Sequence, residues 1–210
     1  MQRRCSCRES AHDAPLVVVT GGPGAGKTAV LEVVRLHFCQ HVIVLPEAAS
    51  ILFAGGFPRR DTVPARRAAQ RAIAHVEREL ERLAVDERHA ALVLCDRGTL
   101  DGLAYWPGDP ADFFRELGST YEAELARYAA VVHLRTPSPE NGYDHANPVR
   151  TESAHEAAAI DARILQVWSG HPRRHVIESS PVFMDKITRT LDVLRAEMPE
   201  CCRRSETALV

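Results

Sequence analysis

The stretch "VVVTGGPGAGKTAVLE", Val17 to Glu32, runs from apolar residues through a glycine cluster to Lys27 and Thr28. The order of residue types decides the fold. A short β-branched run suits a strand buried on both faces. Glycines let the backbone curl so that successive N–H groups point inward as a nest for phosphate oxygens. A helix beginning near Lys27 adds its positive N-terminal end to that nest. The stretch satisfies G-x-x-x-x-G-K-[ST] through Gly21, Gly26, Lys27 and Thr28, with an extra glycine at Gly24. The expected cradle is Gly21, Gly22, Pro23, Gly24, Ala25, Gly26, Lys27, Thr28 and Ala29. Lys27 would reach the β- and γ-phosphates of ATP or GTP, and the Thr28 hydroxyl would help hold Mg²⁺.

Four more apolar runs lie downstream of Leu16–Val19: Val42–Leu45, Ala91–Cys95, Ala130–Leu134 and His175–Glu178. Each is rich in β-branched residues and none alternates strictly, as strands covered on both faces should behave. Helical spacing separates them. Residues Pro64 to Val85 carry Ile73, Val76, Leu80 and Leu83 on one stripe, with Asp61 or Thr62 as cap. A Ser153–Glu156 capping box opens a second helix striped by Ile160, Ile164 and Trp168. A third is expected to start with Ser180 as cap and Pro181 in its first turn. Strand–helix alternation predicts an α/β fold with a parallel sheet and ligands at the carboxyl ends of its strands.

At 210 residues the chain suits one domain, expected over residues 15–198 with tails at 1–14 and 199–210. Apolar residues make up 45%, enough for a sizeable core, and a formal charge of −2 argues against a broad nucleic-acid surface. Arginine supplies nearly all the basic residues, since Lys27 and Lys186 are the two lysines. No apolar run has the length needed to span a bilayer, and a cytoplasmic protein is expected. Of the six cysteines, Cys39 and Cys95 sit in apolar surroundings, whereas Cys5, Cys7, Cys201 and Cys202 fall in polar tails. A zinc site joining the two tails is one reading, but C-x-C and C-C are not the usual C-x₂-C spacing, and loose, reduced tails are the expectation.

The residues just past each strand carry the candidate chemistry. Glu47 follows the second strand, where a carboxylate can accept a proton from an attacking hydroxyl. Asp96 ends the third, in the place of a Walker B aspartate that holds Mg²⁺ together with Thr28. Arg97 next to it can clamp a phosphate, and Asp101 can touch the substrate. The polar stretch after the fourth strand is long enough to be a lid, expected over about 136–163. Arg150 and Arg163 there can neutralise charge on a transferring phosphoryl group. Tyr105 and Trp106 suit a pocket wall or the core, and "RRDTVPARRAAQR" suits an anion or a solvated helix start.

Together "GGPGAGKT", "PEAAS" and "DRGTLDGLAYW" resemble the AAA-type P-loop domain shared by the ribosylnicotinamide kinase part of NadR and the TRPL-translocation-defect protein. The resemblance covers roughly Leu16 to Glu197 and extends more broadly to thymidylate and deoxyribonucleoside kinases. It implies a five-stranded parallel sheet in the order 2-3-1-4-5, an Mg²⁺-nucleotide on the P-loop and a lid after the fourth strand. It also implies that Glu47 is a base and that Gln70 reads an acceptor's base. Where those kinases have Glu-Arg-Ser or Asp-Arg-Tyr, this chain has Asp96-Arg97-Gly98.

The expected activity is transfer of the ATP γ-phosphoryl to a nucleoside-like or nucleotide-like acceptor. The competing reading is a regulatory ATP- or GTP-binding protein that hydrolyses slowly and recruits a partner or an anionic lipid. A ring-forming AAA+ motor would need a C-terminal helical domain that the sequence does not show. Monomer and homodimer both stay open.

Overall fold

A computed structural model describes residues 5, 7, 11–137 and 154–207, with side chains over 155–203 in the last segment. The strands are β1 (Leu16–Thr20), β2 (Val42–Leu45), β3 (Leu92–Asp96), β4 (Ala130–Leu134) and β5 (Arg174–Ile177). All four neighbouring pairs are parallel, and the spatial order is β2-β3-β1-β4-β5. That is the expected order, with β1 at the centre.

Strand alternation divides the core. Val17 and Val19 of β1 face one layer, built on α1 (Lys27–His37) and α8 (Phe183–Glu197). Leu16 and Val18 face the other, with Leu100, Ile160, Ile164 and Trp168. Every residue of β1 and β4 is buried, which is why these strands read as mostly apolar runs, interrupted by the buried Thr20 and His133.

The remaining helices among the described residues are α2 (Ala48–Ala54), α3 (Val63–Glu87), α4 (Asp101–Tyr105), α5 (Pro110–Leu117), α6 (Tyr121–Leu125), α7 (Ala154–Val167) and α9 (Glu200–Thr207). Thr62 precedes α3 as expected, but the buried face is rotated from the expected stripe. Leu83 is 58% exposed, while Glu77 and Glu81 are buried. Pairing explains part of this: Glu81 accepts from the Tyr128 hydroxyl at 2.8 Å and pairs with Arg127. A buried carboxylate with such partners substitutes for a hydrophobe.

Helix α8 begins at Phe183 rather than at Pro181, because the Ser180 hydroxyl accepts from the Val182 N–H at 3.2 Å and holds a turn ahead of the helix. Of the lid expected over about 136–163, residues 138–153, with Arg150 and the capping Ser153, lie outside the described residues, while 154–163 belong to α7, whose Ala157 and Ile160 are buried.

The expectation of loose cysteine tails is corrected. Residues 200–207 form α9, and Cys202 is fully buried against the core layer that holds Phe38 and Cys39. Cys5, Cys7 and Cys201 pack on the same layer. A thiol behaves as a small hydrophobe, so polar neighbours in sequence do not keep it in water.

Candidate functional site

The glycine loop between β1 and α1 has the shape its composition implies. Gly26 caps α1 with φ at 90°, a left-handed value that disfavours other residues. A Cβ there would also sit 2.7 Å from Cε2 of Phe183, so the aromatic ring lies directly over the loop.

Both lysines of the chain serve this loop. The Lys27 ammonium donates to the carbonyls of Gly21 at 2.8 Å and Gly22 at 3.1 Å. Burial, and then the Arg97 charge, bring Lys27 down to about 7 against the pull of Asp96, Asp101 and Glu47. An incoming phosphate would restore its charge. The Lys186 ammonium, 2% exposed, donates to the carbonyls of Ala25 at 2.7 Å and Arg135 at 2.6 Å, tying the loop to the end of β4. Burial lowers it to about 8.

Asp161 on α7 completes the support. Its Oδ1 accepts from the Gly22 N–H at 2.9 Å and lies 2.9 Å from His133 Nε2. Its Oδ2 lies 2.9 Å from Arg135 Nη1. Sequence reading overlooked Asp161 and Lys186, since neither stands in a motif or at a strand end. The rarity of lysine was the available signal for Lys186.

At the end of β3, Arg97 takes φ at 78°. A non-glycine residue held there is strained, and such strain is common where a side chain must be aimed. Its guanidinium donates to Glu47 at 2.8 Å and lies 3.4 Å from Asp101. Asp101 is 2% exposed; it accepts from Thr20 at 2.6 Å and from the Trp168 indole at 2.6 Å. It therefore positions Arg97 from a buried seat. The departure at Gly98 has a steric cause. A Cβ there would meet Val18 at 2.7 Å and Trp168 at 3.0 Å.

Glu47 also accepts from Ser50. Burial alone would raise its carboxyl, but the Arg97 charge and the hydrogen bonds from Ser50 and Arg97 bring it below the usual range. Asp96 has the opposite balance: burial raises it against Lys27. Its Oδ1 is buried without a hydrogen-bond partner, as suits an oxygen reserved for a cation. With the exposed Thr28 hydroxyl, this donor set fits Mg²⁺, which takes few protein oxygens and keeps its waters.

Glu47, Gln70, Arg97 and Asp101 line one cavity of about 700 Å³, together with Pro23 of the glycine loop, Tyr105 and Glu77. Arg59, Arg60 and Arg66 stand on its wall. Tyr105 thus faces the pocket, while Trp106 packs on Phe113. Arg163 is not in this group. It turns to α4 and donates to the Ala104 carbonyl at 3.0 Å, because α7 presents Asp161 rather than Arg163 to the loop.

Residues 16–183 match the family model described as an AAA domain. The chain belongs to this AAA family of P-loop NTPases. Membership of this AAA domain family implies a P-loop nucleotide-binding protein. No curated protein matches the chain. Among the described residues no helix is long and apolar enough to cross a membrane.

Glu77 is a third residue that sequence reading missed, although Gln70, Ile73 and Glu77 recur at helical spacing on one face of α3. Burial first, then the charges of Glu81 and Asp101, push its carboxyl well above the usual range. The folded state therefore keeps a proton that the unfolded chain loses near pH 4.5, and stability falls as pH rises from there through the folded value. Glu77→Gln removes that dependence. Denaturant curves at pH 5, 6 and 7 should show the variant gaining on the parent by up to about 1.4 kcal/mol per pH unit. A constant difference between the two would contradict this.

Proposed function

We propose that this AAA domain protein is a small-molecule kinase that moves the γ-phosphoryl of ATP to a hydroxyl or phosphate of a nucleoside-like or nucleotide-like acceptor. The supporting observation is the cavity beside Pro23, which puts a carboxylate, an arginine and an amide on one acceptor-sized space next to the phosphate loop.

Each side chain has a task in this reading. With a hydroxyl acceptor, Glu47, held ionised by Arg97 and Ser50, takes the hydroxyl proton as the acceptor oxygen bonds to the γ-phosphorus and the β–γ bridging oxygen leaves with ADP. Lys27 and Arg97 neutralise charge on the phosphoryl oxygens. Thr28 and Asp96 would hold Mg²⁺, which would supply Lewis-acid neutralisation of the same charge. Gln70 offers a donor and an acceptor to the acceptor's base. The Phe183 ring over Gly26 offers the nucleotide base an apolar face. Arg59, Arg60 and Arg66 suit an acceptor that already carries phosphate.

Titration calorimetry with a non-hydrolysable ATP analogue present would test the cavity assignment. Nucleosides, nucleoside monophosphates and nicotinamide riboside would each be added. Binding of one class, weakened about tenfold or more in Gln70→Leu, is expected. Absence of binding by every class would remove the acceptor site.

A further inference from the structure

At the end of the sheet away from the nucleotide loop, four nitrogen and sulfur donors from three separate segments converge. Cys7 and His12 precede β1, His41 immediately precedes β2, and Cys202 lies in α9. In a parallel sheet the strand beginnings share one end, opposite the carboxyl ends that carry the cavity. The donor atoms of Cys7, His12, His41 and Cys202 all lie within 4.8 Å of one another. His41 Nδ1 is 3.4 Å from Cys202 Sγ. His12 Nε2 is 3.9 Å from the same sulfur and 4.0 Å from Cys7 Sγ. Around a tetrahedral zinc, with bonds of about 2.0–2.3 Å, neighbouring ligand atoms stand roughly 3.3–3.8 Å apart. These three separations lie within about half an ångström of that spacing, and the remaining pairs stay under 4.8 Å.

We propose that Cys7, His12, His41 and Cys202 bind one structural zinc ion that fastens the segments flanking the domain to the base of the sheet. Two thiolates and two imidazoles are a donor set that favours zinc over magnesium or calcium. Four protein ligands close the coordination sphere, as in structural rather than catalytic zinc sites. The surroundings fit the role. Cys202 is fully buried and His12 is 7% exposed, while Cys7 and His41 are half-buried, so the centre sits at the margin of the core. The His12 N–H donates to the Arg88 carbonyl at 2.9 Å, fixing the backbone that presents the imidazole. The Gln40 amide lies 3.4 Å from His41 Nε2, the outer nitrogen; with its oxygen turned to that nitrogen it would accept the Nε2–H and leave Nδ1 for the metal. None of the six cysteines is in a disulfide, so the sulfurs are available to a metal.

Cys5 and Cys39 form a second set with His41 and Cys202 under the same 4.8 Å limit. Because both sets share His41 and Cys202, they describe one ion, and the test must separate them. Neither C-x-C nor C-C spacing announces this centre, because its ligands come from both ends of the chain and from the α1–β2 turn.

The experiment uses the full untagged chain, purified with reductant and without chelator. Zinc content would be measured by mass spectrometry, and cobalt(II) would replace zinc as a spectroscopic probe. The expected result is one zinc per chain and a cobalt spectrum with thiolate charge transfer and strong tetrahedral bands. Cobalt at the Thr28–Asp96 oxygens would give neither, and Lys27→Ala should leave the signal unchanged. Cys7→Ser and His12→Ala, at the margin of the core, should each reduce zinc to less than a tenth of the parent, while Cys5→Ser retains it. Chelator should lower the melting temperature of the parent and not that of Cys7→Ser. A chain that takes up no zinc when reconstituted, or a cobalt spectrum without thiolate charge transfer, would overturn the proposal. So would loss of zinc in Cys5→Ser with retention in Cys7→Ser.

Discussion

Glu47→Gln lowers phosphoryl transfer by about 10²–10⁴-fold and leaves ATP binding within a few-fold of the parent. The substitution keeps the shape of the side chain and its Arg97 contact at one oxygen, but it removes the proton acceptor. Arg97 and Ser50 keep the native carboxyl below the usual range, so Glu47 is ionised at neutral pH and ready to receive a proton. The expected nucleotide contacts, Lys27 and Thr28, are not among the residues that line the cavity. Steady-state turnover with saturating acceptor, read beside equilibrium ATP binding, separates the two effects. Undiminished turnover in Glu47→Gln would exclude Glu47 as the base.

Asp161→Ala carries the largest expected stability effect. Asp161 is 1% exposed and joins α7 to Gly22, His133 and Arg135. Removing it strands a buried backbone N–H, a buried imidazole and a guanidinium together. Breaking a buried pair from one side costs about 3–5 kcal/mol. In a chain of this length that is a fall in melting temperature of roughly 6–20 °C. The loss has a defined pH window. Burial alone would raise the Asp161 carboxyl, but hydrogen bonds from His133 and the Gly22 N–H bring it below the usual range. Its stabilisation is therefore complete above about pH 4 and fades as pH falls through the lower folded value. Adding His133→Leu to Asp161→Ala should recover part of the loss, since the orphaned imidazole is then gone. A melting temperature unchanged by Asp161→Ala would contradict the account of how the loop is held.

The fold was legible because its signals are local. Five β-branched runs, a glycine turn and helical spacing lie within short windows, and the observed sheet has the order that the resemblance implied. The approach of Glu47 and Arg97 was also legible in part, since both stand where a strand stops and a parallel sheet brings such positions to one edge. What stayed hidden depends on distant partners. Asp161 and Lys186 look like ordinary helix charges until α7 and α8 close on the glycine loop. Glu77 and Glu81 look solvated until the face of α3 is seen to turn inward. Arg163 stands near Asp161 in sequence, yet helical geometry sends it to Ala104 instead. Cys202 reads as tail until α9 carries it into the core.

The most direct test of the kinase reading is a phosphoryl-transfer screen. Purified protein with Mg²⁺ and ATP or GTP would be offered nucleosides, nucleoside monophosphates and nicotinamide riboside, with products read by mass spectrometry beside Lys27→Ala and Glu47→Gln. A phosphorylated acceptor that disappears in both variants is the predicted result. Nucleotide hydrolysis with every acceptor unmodified would contradict the reading and leave a nucleotide-gated regulator in its place.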